Sequence, residues 1–251
     1  MRRARVAYAG AIHEAYPDVA GVRLADGRVA GEDKVVWLPP VEAGTIVALG
    51  LNYADHAKEL SFAKQDEPLV FLKGPGTLIG HNGQTRRPKN ATFMHYECEL
   101  AVVIGATARN VNRAEANAVI AGYTVANDYA IRDYLENYYR PNLRVKNRDT
   151  CTVLGPWLVD AGDVEDAANL TLRTYVNGVK TQEGNTRDLV FAIPYLVEYP
   201  TSFMTLDRGD VILTGTPEGV VNVDVGDEVV TEIEGIGRLV NTIAGDAVFG
   251  L

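Results

Sequence analysis

Residues 97–104 read Glu97-Cys98-Glu99-Leu100-Ala101-Val102-Val103-Ile104, in which two spaced carboxylates run directly into a continuous apolar segment. The apolar run predicts a buried β-strand. Because alternate residues of a strand point to the same face, Glu97 and Glu99 project together and Cys98 projects to the other side. The fold therefore has to accommodate two neighbouring carboxylates beside a buried strand.

Two adjacent carboxylates repel each other by about 1 kcal/mol in water and by several times that in a drier site. Protonation of one group or a bound cation offsets this repulsion. An isolated Glu-x-Glu pair is more often a solvated strand face, but the buried strand that follows favours a metal site. Carboxylate ligands select hard cations, so the expected metal is Mg²⁺, Mn²⁺ or Ca²⁺.

Asp128 offers a third carboxylate. It ends the next predicted strand, which begins near Tyr123, and we expect a helical crossover between the two strands. The Asn127-Asp128 pair alone is an ordinary turn signal. His95 can share the face of Glu97, either as a ligand or, more simply, as a structural histidine.

A second group of chemically competent residues lies in the stretch from Asn52 to Leu60, which we predict to be a loop entering a short helix. On a helix, His56 and Glu59 lie on one face. A carboxylate beside a histidine orients the ring and raises its basicity, as a general base requires. A surface His–Glu pair at a helix start explains the pattern equally well.

Basic residues form the third group. Lys146 lies in a basic cluster from Arg144 to Asp149, and Arg132 follows Asp128 by four residues. Both can capture carboxylates, or both can belong to solvated loops. The Gly/Thr loop that contains Thr216 can offer hydroxyl and backbone N–H groups to an anion, although it lacks the spacing of a phosphate loop.

Composition limits the functional classes. The chain has 251 residues, 47% of them hydrophobic, and a net charge of −9. This charge argues against a general nucleic-acid surface, which needs clustered basic residues. No apolar run reaches the roughly 18–20 residues that span a bilayer, so we expect no membrane partner. The two cysteines form no disulfide framework and indicate the cytoplasm.

The order of apolar runs and turn signals predicts a mostly β, α+β protein with two parts. Residues 1–45 form a small N-terminal β module, and residues 46–251 form the catalytic domain. Asn177-Gly178 predicts a hairpin, and Pro194 predicts the first turn of a helix that runs toward Phe203. A further helix is predicted from the cap residue Asn112, through the capping-box partner Glu115, to a stop at Gly122.

Six motifs in this order resemble the fumarylacetoacetate hydrolase superfamily. They are residues 50–56, Phe71-Leu72-Lys73, residues 96–100, residues 122–133, residues 146–149 and residues 214–219. The stretch from Asn127 to Lys146 is most similar to the subgroup of homoprotocatechuate (4-hydroxyphenylacetate) breakdown. Members of that subgroup act as a 5-oxopent-3-ene-1,2,5-tricarboxylate decarboxylase and a 2-hydroxyhepta-2,4-diene-1,7-dioate isomerase. Some members fuse two such modules, and this chain resembles the C-terminal one.

The resemblance implies a β-roll fold, a homodimer and a role for each matched residue. The implied metal ligands are Glu97, Glu99 and Asp128, for Mg²⁺ or Mn²⁺. The implied catalytic residues are His56, Glu59 and Lys146, and the implied substrate contacts are Arg132, Lys73, Thr216 and Tyr129. The implied substrate is a small oxo-diacid or tricarboxylate.

Three hypotheses follow for the function. The first is a decarboxylase and/or isomerase that works through a metal-stabilised enolate. The second is an acylpyruvate or fumarylacetoacetate hydrolase that cleaves a C–C bond beside a carbonyl. Many hydrolase-like relatives carry Gln at the position of Leu135, and many relatives carry Lys-Ser-Phe-Asp where this chain has residues 146–149, so the first hypothesis is preferred. The third is a metal-stabilised binding protein without catalysis.

Overall fold

The computed structural model describes residues 1–53, 66–135 and 142–251. Most of the predicted segment from Asn52 to Leu60, with His56 and Glu59, lies outside the described residues. The strands in chain order are β1 Arg2–Tyr8, β2 Ala11–Asp18, β3 Gly21–Leu24, β4 Val29–Ala30, β5 Val36–Leu38, β6 Ile46–Gly50, β7 Leu69–Lys73, β8 Leu78–Ile79, β9 Gln84–Arg87, β10 Met94–His95, β11 Cys98–Ile104, β12 Ile120–Asp128, β13 Ala130–Ile131, β14 Thr152–Asp160, β15 Thr171–Val176, β16 Val179–Asn185, β17 Val211–Leu213, β18 Glu228–Ile233 and β19 Gly237–Gly245.

Two α-helices occur in the described part of the chain, α1 Leu143–Lys146 and α2 Ile193–Phe203. Helix α2 begins with Pro194 in its first turn, as predicted, because a proline at this position removes only an N–H that has no helical partner. None of the described helices is long and apolar enough to cross a membrane.

The strands form two main sheets that pack face to face. The larger sheet has the order β4-β3-β2-β1-β14-β12-β11-β17-β6-β7, and the smaller has the order β16-β15-β18-β19-β9. Strands β12 and β14 of the first sheet lie against β18 and β19 of the second. The main core fills this interface, which buries Leu100, Val125 and Leu239 completely or almost completely. The prediction of a mostly β, α+β fold is confirmed.

The predicted hairpin at Asn177-Gly178 is confirmed, because β15 and β16 pair in antiparallel register across it. The predicted helix between Asn112 and Gly122 is wrong. That segment forms only a 3-10 turn at Ala116–Val119. Gly122 lies inside β12, and a Cβ there would sit 2.1 Å from the carbonyl oxygen of Val159. The glycine therefore permits close strand pairing instead of ending a helix.

The first five strands enclose a small core of their own, which includes Val6, Val22 and Trp37. Strand β1 also pairs with β14, where Arg2 lies opposite Val159 and Arg3 opposite Leu158. The N-terminal part is thus continuous with the larger sheet. Its division from the rest of the chain at residue 45 remains a prediction.

Candidate metal centre

Three carboxylates meet where β11 begins and β12 ends. The two strands are antiparallel neighbours, with Cys98 opposite Asn127 and Glu99 opposite Ala126. The backbone N–H of Asp128 donates to the carbonyl oxygen of Glu97 at 2.9 Å. The expected helical crossover is wrong, since a direct antiparallel return brings the end of one strand to the start of the other.

The geometry of the three side chains fits a cation. Glu97, Glu99 and Asp128 are all buried, and one oxygen from each lies within 4.8 Å of the others. Oε2 of Glu99 accepts the N–H of Gly215 at 2.6 Å. Its Oε1 is buried and has no hydrogen-bond partner in the described part of the chain. A buried carboxylate oxygen without a partner is costly, and a hard divalent cation is the ligand that such an oxygen prefers.

Two lysines balance part of the negative charge. The ammonium group of Lys146 donates to Oε2 of Glu97 at 2.5 Å and to Oδ2 of Asp128 at 2.8 Å. The ammonium group of Lys73 donates to Oδ1 of Asp128 and, at 2.6 Å, to the carbonyl oxygen of Lys146. If all five groups are ionised, the cluster keeps one net negative charge, and a divalent cation would reverse its sign.

Burial and the neighbouring charges shift the pKa values of Glu99 and Lys146. Burial raises the pKa of Glu99 well above its usual range, and the carboxylates of Asp128 and Glu97 raise it further. Burial lowers the pKa of Lys146, but the carboxylates of Asp128 and Glu97 outweigh burial and raise it overall. The lysine therefore stays charged while Glu99 resists ionisation. A cation beside Glu99 would favour its charged form.

A cavity of about 170 Å³ opens beside the cluster. Its polar lining includes Glu97, Lys146, Arg132, His95 and Thr216. Its apolar lining consists largely of Leu49, Leu51, Leu69, Phe71, Leu135 and Val145. A pocket with a few charged groups and apolar walls suits a small organic acid.

His95 and Arg132 form a pair in this lining. The Nε of Arg132 donates to Nε2 of His95 at 2.9 Å, and Nδ1 of His95 lies 3.1 Å from the carbonyl oxygen of Tyr96. Burial lowers the pKa of His95 to about 4, and the cations of Lys146 and Arg132 lower it further against the opposing effect of Glu97. The ring is therefore neutral at pH 7.

The other predicted substrate contacts lie in different surroundings. Thr216 lines the cavity, and its hydroxyl accepts a hydrogen bond from Gln182 at 2.8 Å. Lys73 is buried against Asp128 and does not appear in the cavity lining. Tyr129 is buried in the main core, where its hydroxyl lies 3.1 Å from Oδ1 of Asn241. The structure thus brings Arg132, Lys146 and Thr216 together around the cavity and leaves Tyr129 apart from them.

Asn52 and Gly215 support the loop beside Glu99, and the sequence pattern does not single them out. Asn52 bonds through its amide to the carbonyl oxygen of Thr214 at 2.8 Å and accepts the N–H of Phe191 at 2.8 Å. Gly215 has a φ of +93°, and a Cβ there would sit 2.9 Å from Cβ of Asn52. Only a glycine fits this backbone without strain, and its N–H then reaches Glu99. The Gly-Thr motif was the available signal for Gly215.

The family described as "Fumarylacetoacetate (FAA) hydrolase C-terminal" matches residues 45–244. The chain belongs to this family. A curated relative, the 4-hydroxyphenylacetate degradation bifunctional isomerase/decarboxylase of Salmonella dublin, is 59% identical over 220 residues. The match covers 88% of this chain and 51% of the relative, so the chain spans about half the length of that relative.

Two solved structures of the family share the fold. The 5-carboxymethyl-2-hydroxymuconate delta-isomerase of Mycobacterium smegmatis is 37% identical with a TM-score of 0.87, and the superposition covers 98% of this chain and 99% of that one. The maleylpyruvate hydrolase of Sphingobium sp. SYK-6, in complex with manganese(II) ion and pyruvate, is 27% identical. Its TM-score is 0.84, with coverage of 98% of this chain and 99% of that one.

Proposed function

We propose that the chain is a divalent-cation-dependent decarboxylase and/or isomerase of 4-hydroxyphenylacetate (homoprotocatechuate) catabolism. Its substrates would be 5-oxopent-3-ene-1,2,5-tricarboxylate and 2-hydroxyhepta-2,4-diene-1,7-dioate. The observation that carries this proposal is the buried set of Glu97, Glu99 and Asp128, which includes a carboxylate oxygen that no described residue pairs with, beside a cavity lined by Arg132 and Lys146. The 59% identity to a bifunctional isomerase/decarboxylase supports the choice of reaction.

Glu97, Glu99 and Asp128 would hold Mg²⁺ or Mn²⁺. When bound, the cation supplies Lewis acidity, which stabilises the negative charge that develops on a 2-oxo or enol oxygen. Three carboxylates leave coordination positions open for the substrate. The manganese in the related maleylpyruvate hydrolase supports this class of metal.

The chain's own residues bind and orient the acid. Lys146 and Arg132 both line the cavity and bring cationic side chains to it. Both favour carboxylates. The leucine, valine and phenylalanine side chains reduce the access of water, which strengthens these charge interactions.

We further propose His56 as the proton carrier, oriented by Glu59. Both lie outside the described residues, and their assignment rests on the resemblance of the motif. Support comes from residues a few positions before His56 in the chain. Gly50 and Leu51, just upstream in the chain, line the cavity.

We also propose that the chain acts as a homodimer in the cytoplasm. The buried thiols of Cys98 and Cys151 are free, which suits a reducing compartment. Light scattering of the purified protein tests the dimer, and a monomeric mass at micromolar concentration would contradict it.

The function is tested by turnover. Purified protein with Mg²⁺ or Mn²⁺ is incubated with each substrate, and CO₂ release and diene absorbance are followed. We expect turnover of at least one substrate and its loss in His56→Ala and Glu97→Gln, with full activity in the control Glu32→Gln on the exposed N-terminal surface. Absence of turnover with both substrates and both metals would reject the proposal.

A second candidate is hydrolysis of an acylpyruvate or fumarylacetoacetate. The similarity to a maleylpyruvate hydrolase favours it. The same residues would then prepare water for attack on a carbonyl next to the cleaved bond. Release of pyruvate or acetoacetate would select this function over the first.

The remaining alternative is a binding protein without catalysis. It predicts that His56→Ala leaves the role of the protein intact.

A further inference from the structure

The pair of His95 and Arg132 is fixed by backbone pairing on both sides. Strand β10 carries His95 and pairs with β13, where His95 lies opposite Ala130. The N–H of Arg132 donates to the carbonyl oxygen of Phe93 at 2.9 Å. The two side chains therefore start from backbone positions that hold each other in register.

The proton positions on His95 follow from chemistry. A guanidinium carries only donors, so Nε2 of His95 has to accept the hydrogen bond from Nε of Arg132. Nδ1 then carries the ring proton and donates to the carbonyl oxygen of Tyr96 at 3.1 Å. Both nitrogens of a fully buried ring are thus engaged, and the plane of the imidazole is set.

This contact determines which edge of Arg132 faces a ligand. A guanidinium can receive a carboxylate along the edge that includes Nε or along the edge of its two terminal nitrogens. His95 occupies Nε, so only the terminal edge remains. The described residues contribute no hydrogen bond to the two terminal nitrogens, and Arg132 lines the cavity.

The cavity lining offers an acid a second charged group besides the carboxylate cluster. Glu97 and Lys146 of the carboxylate cluster line it together with Arg132, and apolar side chains line the space around them. A ligand with a 2-oxo acid at the metal, a second carboxylate and an apolar chain has a group for each part of this lining. A monoacid of the same length would leave the terminal edge of Arg132 without a carboxylate.

We propose that His95 is a positioning residue, which aims the terminal edge of Arg132 at the second carboxylate of a 2-oxo diacid. This inference rests on the proposed function for the identity of the substrate class. It assigns the selection of diacids over monoacids to the contact between the two side chains. His95 itself touches neither the metal nor the reacting carbons in this assignment.

The test measures binding, so that it does not depend on turnover. Manganese-loaded protein is titrated calorimetrically with 2-oxoheptanedioate and with 2-oxoheptanoate, which lacks the second carboxylate. We expect the wild type to bind the diacid roughly tenfold to a hundredfold more tightly, as one charge-assisted contact provides. Arg132→Met should reduce this ratio to about one, and the Kd for the monoacid should stay within about twofold.

His95→Met removes the acceptor and should lower the ratio at least fivefold. His95→Gln places an amide oxygen near the former Nε2 and should restore most of the ratio, which a merely structural role of the ring would not produce. His13→Met, on the distant strand β2, is the matched control and should keep the full ratio. An unchanged melting temperature and monoacid Kd show that the variants are folded and still hold the metal.

Three outcomes separate the claims. Equal Kd values for diacid and monoacid in the wild type would overturn the role of Arg132 and with it that of His95. A full ratio in His95→Met beside a lost ratio in Arg132→Met would overturn the positioning role alone. Diacid selection without turnover of either proposed substrate would reject the proposed function and leave the inference standing.

Discussion

Glu99→Gln is expected to have opposite effects without and with a cation. Glu99 lies within 4.8 Å of the other two carboxylates. At that distance each pair of charges repels by about 3 kcal/mol with an effective dielectric constant of about 20. Lys73 and Lys146 offset most of this repulsion. Without metal, the neutral amide should therefore raise the free energy of unfolding by about 1–2 kcal/mol.

With a bound cation, the wild type should be more stable than Glu99→Gln. A ligand at one hundred times its Kd stabilises the native state by about 2.7 kcal/mol, or about 5–10 °C in melting temperature for a chain of this length. The wild type should show this shift with Mn²⁺ or Mg²⁺, and Glu99→Gln should show less than about 2 °C because an amide is a weaker ligand for a hard cation.

Differential scanning fluorimetry in EDTA and in excess metal measures both effects. Glu32→Gln, an exposed change of the same chemistry, is the control and should match the wild type in both buffers. A full metal shift in Glu99→Gln would show that Glu99 is not a ligand. A metal-free variant far less stable than the wild type would refute the electrostatic reasoning.

Three further outcomes are expected. Gly215→Ala should weaken Mn²⁺ binding about tenfold by calorimetry, because the strained φ shifts the N–H that supports Glu99; an unchanged Kd would contradict this. Lys73→Met should lower the free energy of unfolding in urea by about 3 kcal/mol, since it removes one of the two ammonium groups that pair with the buried carboxylate of Asp128. The exposed Lys180→Met should change it little. Burial lowers the pKa of His81 to about 4. Between about pH 6.5 and about pH 4, the imidazole is therefore protonated in the unfolded chain but neutral in the native protein. Stability should thus be complete above pH 6.5 and fall by about 1–2 kcal/mol toward pH 4, and His81→Asn should have a smaller loss in urea titrations across this range.

Local periodicity was sufficient for part of the site. The alternation of Glu97, Cys98 and Glu99 before an apolar run predicted two carboxylates on one face of a buried strand, and both are buried there. The end of the next strand at Asp128 was also predicted. These features depend on neighbours in the chain, which the sequence displays directly.

Other features depend on contacts between distant residues. The capping pattern of Asn112 and Glu115 is present, since the Asn112 side chain accepts the N–H of Glu115 at 3.2 Å. It closes only a short turn, because the following residues gain more from pairing in β12. Likewise, nothing near Lys73 in the sequence indicates that its ammonium group is buried against Asp128.

The residue types of Tyr129 and His95 also do not predict where their side chains lie in the fold. Tyr129 lies next to Asp128 in the chain, yet its side chain lies in the main core, where its hydroxyl contacts Asn241. His95 has a role in the cavity lining only because β10 pairs with β13 beside Arg132.

The pairing of β1 with β14 has a consequence for the integrity of the larger sheet. Strand β14 pairs with β12 along one side. Without β1, its other side would present unpaired N–H and C=O groups near Leu158 and Val159. Such a bare edge recruits strands from other molecules. By covering this edge of β14, strand β1 reduces edge-to-edge aggregation, independently of any part in catalysis.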